Sequence, residues 1–331
     1  MMRRQIKKCL ATVLCLGVAI SVSACGKTGQ QPESTVHKER AASVDNGSLS
    51  ADSGVVSVGR TIVTYKEYKV YDYLMKSQYE DVLDTDVWTY TPPEEQESIG
   101  QEAIEDVVRL IIQIKVIGKA AASQGIELAA DEKEEADHNA QECFASLPQE
   151  KMEQDGITQN LLSQIFEEHK LAEKMYNVVT GQVDVNLTQE QSNAARVQLI
   201  FRAANGQNKE EVRQQMQALA EQAKSLKGNF YKFARENTQS DEVECLVGQL
   251  DERSNLVNTV LGMQQYEMSG VIEESDGFYI AYCVEPTNSS IIEEYKNQAV
   301  EEKQVKAFQD AYAEWSKGYS VRVSRSLLAN E

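Results

Sequence analysis

Hydrophobic residues recur at helical spacing over most of the chain, and capping motifs mark where several helices begin. A capping box at Thr64–Glu67 opens one helix, whose apolar residues share a single face: Tyr68, Tyr71, Met75, Tyr79 and Val82. Such a stripe is typical of a helix face buried in a core. Tyrosine and methionine also suit a groove for unfolded polypeptide, so the pattern leaves both interpretations open.

A long helix is predicted between Pro92-Pro93 and Gln124, with Gly125 as its C-terminal cap. Further helices are predicted from Asp131 and over about 159–179. A short strand pair at Val55–Val63 precedes them. The segment 55–185 is therefore predicted to be a mainly helical domain.

The pattern changes over 186–287, where strand-like alternation and short helices follow one another. Arg196–Arg202 alternates as a strand, and Gly277–Val284 is a second, strongly apolar strand. The predicted order is strand, two helices, polar loop, helix and two strands, which describes a compact α+β domain. The last segment, 288–331, is predicted to hold a helix that opens at Ser290 and a short strand at Ser320–Ser324.

The first 24 residues read as an export signal, in which four cations precede an apolar stretch from Cys9 to Ile20. This stretch is short for a membrane-spanning helix and contains Gly17, which favours a cleaved signal. It ends in Val22-Ser23-Ala24-Cys25, which resembles the bacterial lipobox. Cys25 is therefore predicted to carry a diacylglycerol; an ordinary signal peptide with a chance cysteine is the alternative. Residues 25–54 are predicted to form the lipidated cysteine and a flexible tether, because they are rich in Gly, Ser, Gln and charges.

Composition and charge narrow the classes of function. Apolar residues make up 41% of the 331, enough to bury substantial cores. Lys and Arg total 33 against 52 Asp and Glu, a net charge of −19. Because the first 24 residues hold four of the cations and no acid, the remainder is still more acidic. Such a surface repels phosphate backbones, so no nucleic-acid partner is predicted.

Metal and hydrolase chemistry find no support in the sequence. Cys143, Cys245 and Cys283 show no C-x-x-C spacing, and their odd number argues against a disulfide framework, although a Cys245–Cys283 bond stays open. The three histidines are scattered at His37, His138 and His169. We therefore predict no metal site and no cofactor.

The residues of 186–287 resemble the parvulin (PpiC-type) peptidyl-prolyl isomerase domain. The family's motifs are Phe-x-x-Ala, Gly-x-Leu, Glu-x-Ser and a final Gly-Tyr-His-Ile-like strand. Their nearest counterparts here are Phe230 or Phe233 with Ala234, Gly248 with Leu250, Glu267 with Ser269, and Gly277–Ile280. With the lipobox, the helical domain and the C-terminal helix, the chain is similar to the PrsA/SurA-type foldase lipoproteins. The resemblance implies an α+β protein with a mainly helical SurA-type chaperone domain, closed by the C-terminal helix, plus a parvulin-like domain.

The resemblance also indicates where a site would lie, and the chain departs from it there. The two neighbouring histidines of active parvulins correspond to Gln198 and Tyr279, and the nearby Cys or Asp to Ser240. Rotation about an X-Pro bond needs an apolar seat and polar groups that favour the twisted amide, but no nucleophile. These three residues therefore remain candidates for weak catalysis. A hydrogen-bonded Gln198–Tyr279 pair in the core is the alternative.

Compared with the parvulin family, this chain keeps only part of the apolar pocket that would hold a proline ring. The residues left to line it, and so to bind substrate, are Leu256, Leu261 and Met263, with Phe230 or Phe233 adjoining.

Two functions follow from the resemblance. The first is an extracytoplasmic folding factor, held at the cell membrane by the lipid on Cys25, that binds unfolded exported polypeptides and has an isomerase domain of uncertain activity. The second is a non-catalytic envelope lipoprotein that recognises one specific folded partner.

Overall fold

The computed structural model describes residues 50–80, 85–93, 96–226 and 229–328. These form two compact units, the first made of 50–182 with 305–328 and the second of 183–304. The predicted signal sequence, Cys25 and the tether as far as residue 49 lie outside the described residues. Within the described ranges, no helix combines the length and the apolar character needed to cross a membrane.

The first unit is mainly helical. Its helices are α1 (Tyr65–Glu80), α2 (Ile99–Gln124), α3 (Ala130–Ser146), α4 (Gln149–Gln154) and α5 (Gln159–Thr180), with a 3-10 turn at Thr85–Thr89. One small antiparallel sheet has the order β2-β1-β7 and comprises β1 (Gly54–Val58), β2 (Thr61–Thr64) and β7 (Val321–Val323). The chain therefore returns after the second unit to add the last strand of this sheet.

The caps of α2 show why the helix begins and ends where it does. The Ser98 hydroxyl accepts a hydrogen bond from the Gln101 N–H, and the Gln101 side chain accepts one from the Ser98 N–H at 2.9 Å. These two bonds satisfy donors that the first turn leaves unpaired. Gly125, at a φ of 67°, ends the helix in the left-handed conformation that the sequence predicted.

The face of α1 is core and not groove. Tyr68, Tyr71 and Met75 are buried in one cluster with the apolar face of α2. The Tyr79 side chain and Val82, the other members of the predicted stripe, lie outside what the structure describes.

The C-terminal segment packs on the helical unit. Helix α9 (Ser289–Ser316) brings Phe308 into the core, where its ring lies 5.2 Å from that of Tyr176. Helix α10 (Arg325–Leu328) follows β7, and Arg325 binds both carboxylate oxygens of Glu105 at 2.7 and 3.0 Å. The prediction of a helical domain closed by the C-terminal helix is confirmed.

The second unit is an α+β domain with one antiparallel sheet in the order β4-β3-β6-β5. Its strands are β3 (Ala194–Ala203), β4 (Glu244–Gly248), β5 (Ile272–Glu273) and β6 (Gly277–Glu285). Its helices are α6 (Lys209–Lys224), α7 (Phe230–Asn237) and α8 (Ser254–Leu261). The sequence pattern did not predict β4, which lies between the end of the predicted polar loop and α8. The predicted α+β class is confirmed.

Each face of this sheet is covered by different helices, because side chains alternate along a strand. Val197, Leu199 and Tyr279 pack against α8, and we call this side the α8 face. Ile200 and Phe278 pack against α6 and α7, and we call this side the α6/α7 face.

The Cys245–Cys283 disulfide that the sequence left open does not form. Both residues lie across from Val197 in the sheet register, one on each neighbouring strand. Two strand spacings separate their Cα atoms by about 10 Å. A disulfide spans at most about 7 Å between Cα atoms, so the fold excludes this bond.

Candidate functional site

Gln198 and Tyr279, predicted to stand in place of the two parvulin histidines, lie on opposite faces of the sheet. Tyr279 belongs to the α8 face, and so do both neighbours of Gln198 along β3, which places Gln198 on the α6/α7 face. The Gln198 Nε2 donates to Glu244 Oε2 at 2.7 Å, and the Tyr279 hydroxyl donates to Asp276 Oδ2 at 2.7 Å. The structure therefore contains neither a joint Gln198–Tyr279 site nor the alternative, a hydrogen bond between the two.

The strand register gives the physical reason. Phe201, not Gln198, lies opposite Tyr279, and the two rings stack with centroids 4.8 Å apart. A shift of one residue moves every side chain of a strand to the other face. Motif matching located β3 and β6 but did not determine which residues of β3 share a face with Tyr279.

Ser240 lies in the loop between α7 and β4 and bonds within that loop. Its backbone N–H donates to Thr238 Oγ1 at 3.1 Å, and its hydroxyl accepts from the Glu242 N–H at 3.3 Å. Thr238 Oγ1 also accepts from the Phe201 N–H at 3.0 Å, which fastens the loop to β3. No contact described in the structure joins Ser240 to Gln198 or Tyr279.

The five predicted substrate-binding residues separate into two groups. Leu256, Leu261 and Met263 pack on the α8 face together with Tyr279. Phe230 and Phe233 pack on the α6/α7 face and do not adjoin that group. All five are apolar residues of the layers on the sheet, but the sheet runs between the aromatic pair and the aliphatic residues.

The α8 face is closed over its most apolar residues. Leu256 is fully buried, and Tyr279 and Met263 are only 2% and 6% exposed. Phe201 and Leu261 are partly exposed and form the accessible apolar rim. A proline ring would therefore meet this rim first, and would reach the deeper residues only if side chains moved.

A polar group that the sequence did not single out lies at the same rim. Arg253, at the N-terminal cap of α8, donates from Nε to Asp251 Oδ1 at 2.8 Å and from Nη2 to Asp251 Oδ2. Its guanidinium carbon lies 5.2 Å from the centre of the Tyr279 ring, a cation–π distance. In sequence, Asp251-x-Arg253 looks like any exposed charge pair; only the fold of β6 brings it to Tyr279.

Electrostatics keep Arg253 charged and Tyr279 neutral. Burial lowers the pKa of Arg253, but hydrogen bonding to Asp251 and to Tyr279 outweighs burial and raises this pKa above its ordinary value. Burial raises the pKa of Tyr279; the neighbouring Arg253 lowers it, the bond to Asp276 raises it, and the net shift is upward. The rim therefore presents a fixed cation and a neutral phenol whose hydroxyl donates a hydrogen bond to a carboxylate.

No group of three or more His, Cys, Asp or Glu side chains in the described part of the chain is arranged to hold a metal ion.

No protein-family model and no curated protein matches the chain. Among solved structures, a PpiC-type peptidyl-prolyl cis-trans isomerase domain matches with 24% identity and a TM-score of 0.28, over 29% of this chain and 94% of its own. The peptidylprolyl isomerase PrsA of Bacillus anthracis matches with 11% identity and a TM-score of 0.34, over 61% of this chain and 95% of its own. A SurA-like chaperone of Campylobacter jejuni matches with 10% identity and a TM-score of 0.31, over 82% and 99%.

The chain is thus similar to PrsA/SurA-type foldases that carry a PpiC-type domain.

Proposed function

We propose that this chain is an extracytoplasmic folding factor, anchored to the membrane by a lipid on Cys25, that binds unfolded exported polypeptides. The observation that carries the proposal is the insertion of an α+β unit of parvulin-like element order into a helical unit that β1 and β7 close. An export signal with a lipobox precedes this arrangement in the sequence. Together they are the parts that the sequence resemblance associates with foldase lipoproteins.

Within this function, the geometry favours binding over isomerase turnover. Catalysis needs polar groups that stabilise the twisted amide more than the planar one. Gln198 and Ser240 have other hydrogen-bond partners away from the α8 face, and Tyr279 is buried. The α8 face keeps an apolar rim and one fixed cation, which suit a binding arm.

The central test is suppression of aggregation. The chain from residue 26 onward contains every described residue and is mixed with a reduced, unfolded client at equal molar ratio while light scattering is followed. We expect scattering to fall with increasing amounts of the protein, and an acidic protein of similar size without chaperone activity serves as the control. A result equal to that control with several unrelated clients would reject the proposal.

The anchor is tested separately, by metabolic labelling with a radioactive fatty acid. We expect the full chain to take up label and to fractionate with membranes, because two acyl chains give stable anchoring. Cys25→Ser should abolish both, whereas Cys15→Ser, within the same leader, should change neither. Label that persists in Cys25→Ser would contradict the lipobox assignment.

The closed α8 face supports a second candidate equally, an envelope lipoprotein that binds one folded partner. A rim with little accessible apolar surface suits a native protein surface as well as an unfolded chain. Affinity for one native envelope protein, with none for reduced clients, would select this candidate.

A further inference from the structure

At the rim of the α8 face, the Arg253 guanidinium is held in one orientation by two neighbouring side chains. Asp251 fixes the plane of the Arg253 guanidinium through two hydrogen bonds, and the Tyr279 ring lies beneath it. The Arg253 backbone N–H also donates to Asp251 Oδ1 at 2.9 Å, so main chain and side chain are held by one carboxylate. A donor that is already ordered loses little entropy when it binds a ligand.

This guanidinium retains hydrogen-bonding capacity. Arginine has five N–H donors. Asp251 accepts from two of them, which leaves up to three for other partners. The Arg253 side chain is 19% exposed, so a ligand on the surface can reach it.

The surroundings define what can bind there. Phe201 and Leu261 are, with Cys245, the partly exposed apolar side chains of this face. Tyr279 stacks on Phe201 and lies against the Arg253 guanidinium. Asp251 and the exposed Asp276 bring two negative charges to one positive charge. An anionic ligand is disfavoured by this balance, whereas a neutral carbonyl oxygen is a suitable acceptor.

We propose that Arg253 is the peptide-contact residue of the second unit, donating to a main-chain carbonyl of an uncharged or basic apolar segment laid along Phe201 and Leu261. This inference rests on the proposed polypeptide-binding function and names the site and ligand class of its second arm. The segment gains apolar contact from the rim and one charge-assisted hydrogen bond. The carboxylates select against acidic segments.

The test is a binding titration of three capped tetrapeptides, Ala-Leu-Pro-Phe, Ala-Lys-Pro-Phe and Ala-Glu-Pro-Phe, to the chain from residue 26 onward, followed by NMR. We expect the Leu and Lys peptides to bind more tightly than the Glu peptide. Arg253→Met should weaken binding by about tenfold to a hundredfold, which is the usual effect of losing a hydrogen bond from a charged donor. Arg253→Lys keeps the charge without the planar fork and should give an intermediate loss.

Arg196→Met is the matched control. Arg196 also binds a carboxylate, that of Glu294, but it lies between two β3 residues of the α8 face and therefore points away from that face. Its replacement should leave peptide affinity unchanged. Thermal melting shows whether each variant is folded, and if Arg253→Met is not, the conservative Arg253→Lys decides.

Each outcome has a defined meaning. Equal affinity of a folded Arg253 variant and the unsubstituted protein overturns the assignment, and so does an unsubstituted protein that binds none of the three peptides. Aggregation suppression is measured in parallel on the same samples. If suppression is retained while the peptide result is negative, only the role of Arg253 fails; if suppression is absent as well, the proposed function itself fails.

Discussion

The helical unit buries charged side chains in its core, whereas the sheet unit keeps its charged side chains at the rim of two apolar layers. Lys115 of α2 is 8% exposed and lies 2.6 Å from a carboxylate oxygen of Glu67 on α1 and of Glu168 on α5. His169 is buried beside this group, against the Tyr71 ring. In the sheet unit, by contrast, the buried polar residues described by the structure include no charged side chain.

The difference shows two ways of making a packing arrangement unique. Apolar helix faces fit one another in several registers, and a buried ion group restricts the choice because any other register leaves a charge unpaired. In a sheet, the alternation of side chains already does this, since a slip of one residue exposes an entire apolar face. We therefore expect the unique packing of the helical unit to depend on its buried charges more than that of the sheet unit does.

The largest expected effect comes from breaking the ion group on one side only. Lys115→Met leaves Glu67 and Glu168 close together without a cation, and we expect a loss of about 3–5 kcal/mol in the free energy of unfolding of the helical unit. Both tryptophans, Trp88 and Trp315, pack on the core of this unit, so their fluorescence in urea reports its unfolding.

Two further variants sharpen this prediction. Lys133→Met removes an exposed lysine from α3 and should change stability by less than about 0.5 kcal/mol. The triple variant Lys115→Met, Glu67→Gln, Glu168→Gln should recover much of the loss, because no unpaired charge remains. If Lys115→Met alone were as stable as the unsubstituted protein, the buried ion group would not contribute to the stability of the helical unit.

A second prediction breaks the sheet unit through its backbone instead of its charges. Gly277 opens β6 at a φ of 155°, and a Cβ there would lie 2.2 Å from the Arg202 carbonyl oxygen. Gly277→Ala should destabilise the sheet by about 2–3 kcal/mol, since strain and overpacking combine. Hydrogen exchange of β3 and β6 amides measures the effect in this unit. Gly206→Ala, with open space around its Cβ position, is the matched control and should leave exchange unchanged.

The third prediction concerns pH and again separates the units. Burial, followed by repulsion from Lys115, lowers the pKa of His169 to about 3, whereas in the unfolded chain the pKa is about 6.5. The unfolded state then binds the proton first, so stability is fully present above pH 6.5 and falls as the pH drops toward 3. Neither ring nitrogen has a hydrogen-bond partner among the described residues that would hold the charged form.

Between pH 7.5 and 5.5 we expect the helical unit to lose about 1.4 kcal/mol from this residue alone. Urea unfolding followed by tryptophan fluorescence at both pH values measures it. His169→Gln should remove that part of the slope. His138→Gln, at a side chain 69% exposed on α3, should leave the slope as it is. An unchanged slope in His169→Gln would show that other groups control the acid response.

The sequence predicted the elements better than it predicted their faces. The Gly125 cap of α2, the presence of a C-terminal helix and the α+β class follow from local patterns, because caps and periodicity act within a few residues. The packing of that helix on the helical unit was predicted from the family resemblance instead. Strand β4 was not predicted, because its five residues are too few to show a clear alternation of apolar and polar positions. The sequence did not show which polar residues share a face, since a strand register depends on long-range pairing. Nor did it show that Arg253 lies near Tyr279, because only the folding of β6 brings the two together.

The smallest expected effect tests that register directly. Gln198→Ala removes one hydrogen bond to Glu244 on the α6/α7 face, at a position exposed enough for water to replace it, so we expect a change in stability below about 0.5 kcal/mol. Peptide affinity at the α8 face should not change, because the sheet separates Gln198 from that face. Tyr279→Phe is the contrasting variant, which loses the bond to Asp276 and about 1 kcal/mol while keeping the ring beneath Arg253. If Gln198→Ala weakened peptide binding as much as Arg253→Met, the two residues would have to share a face, and the register that separates them would be wrong.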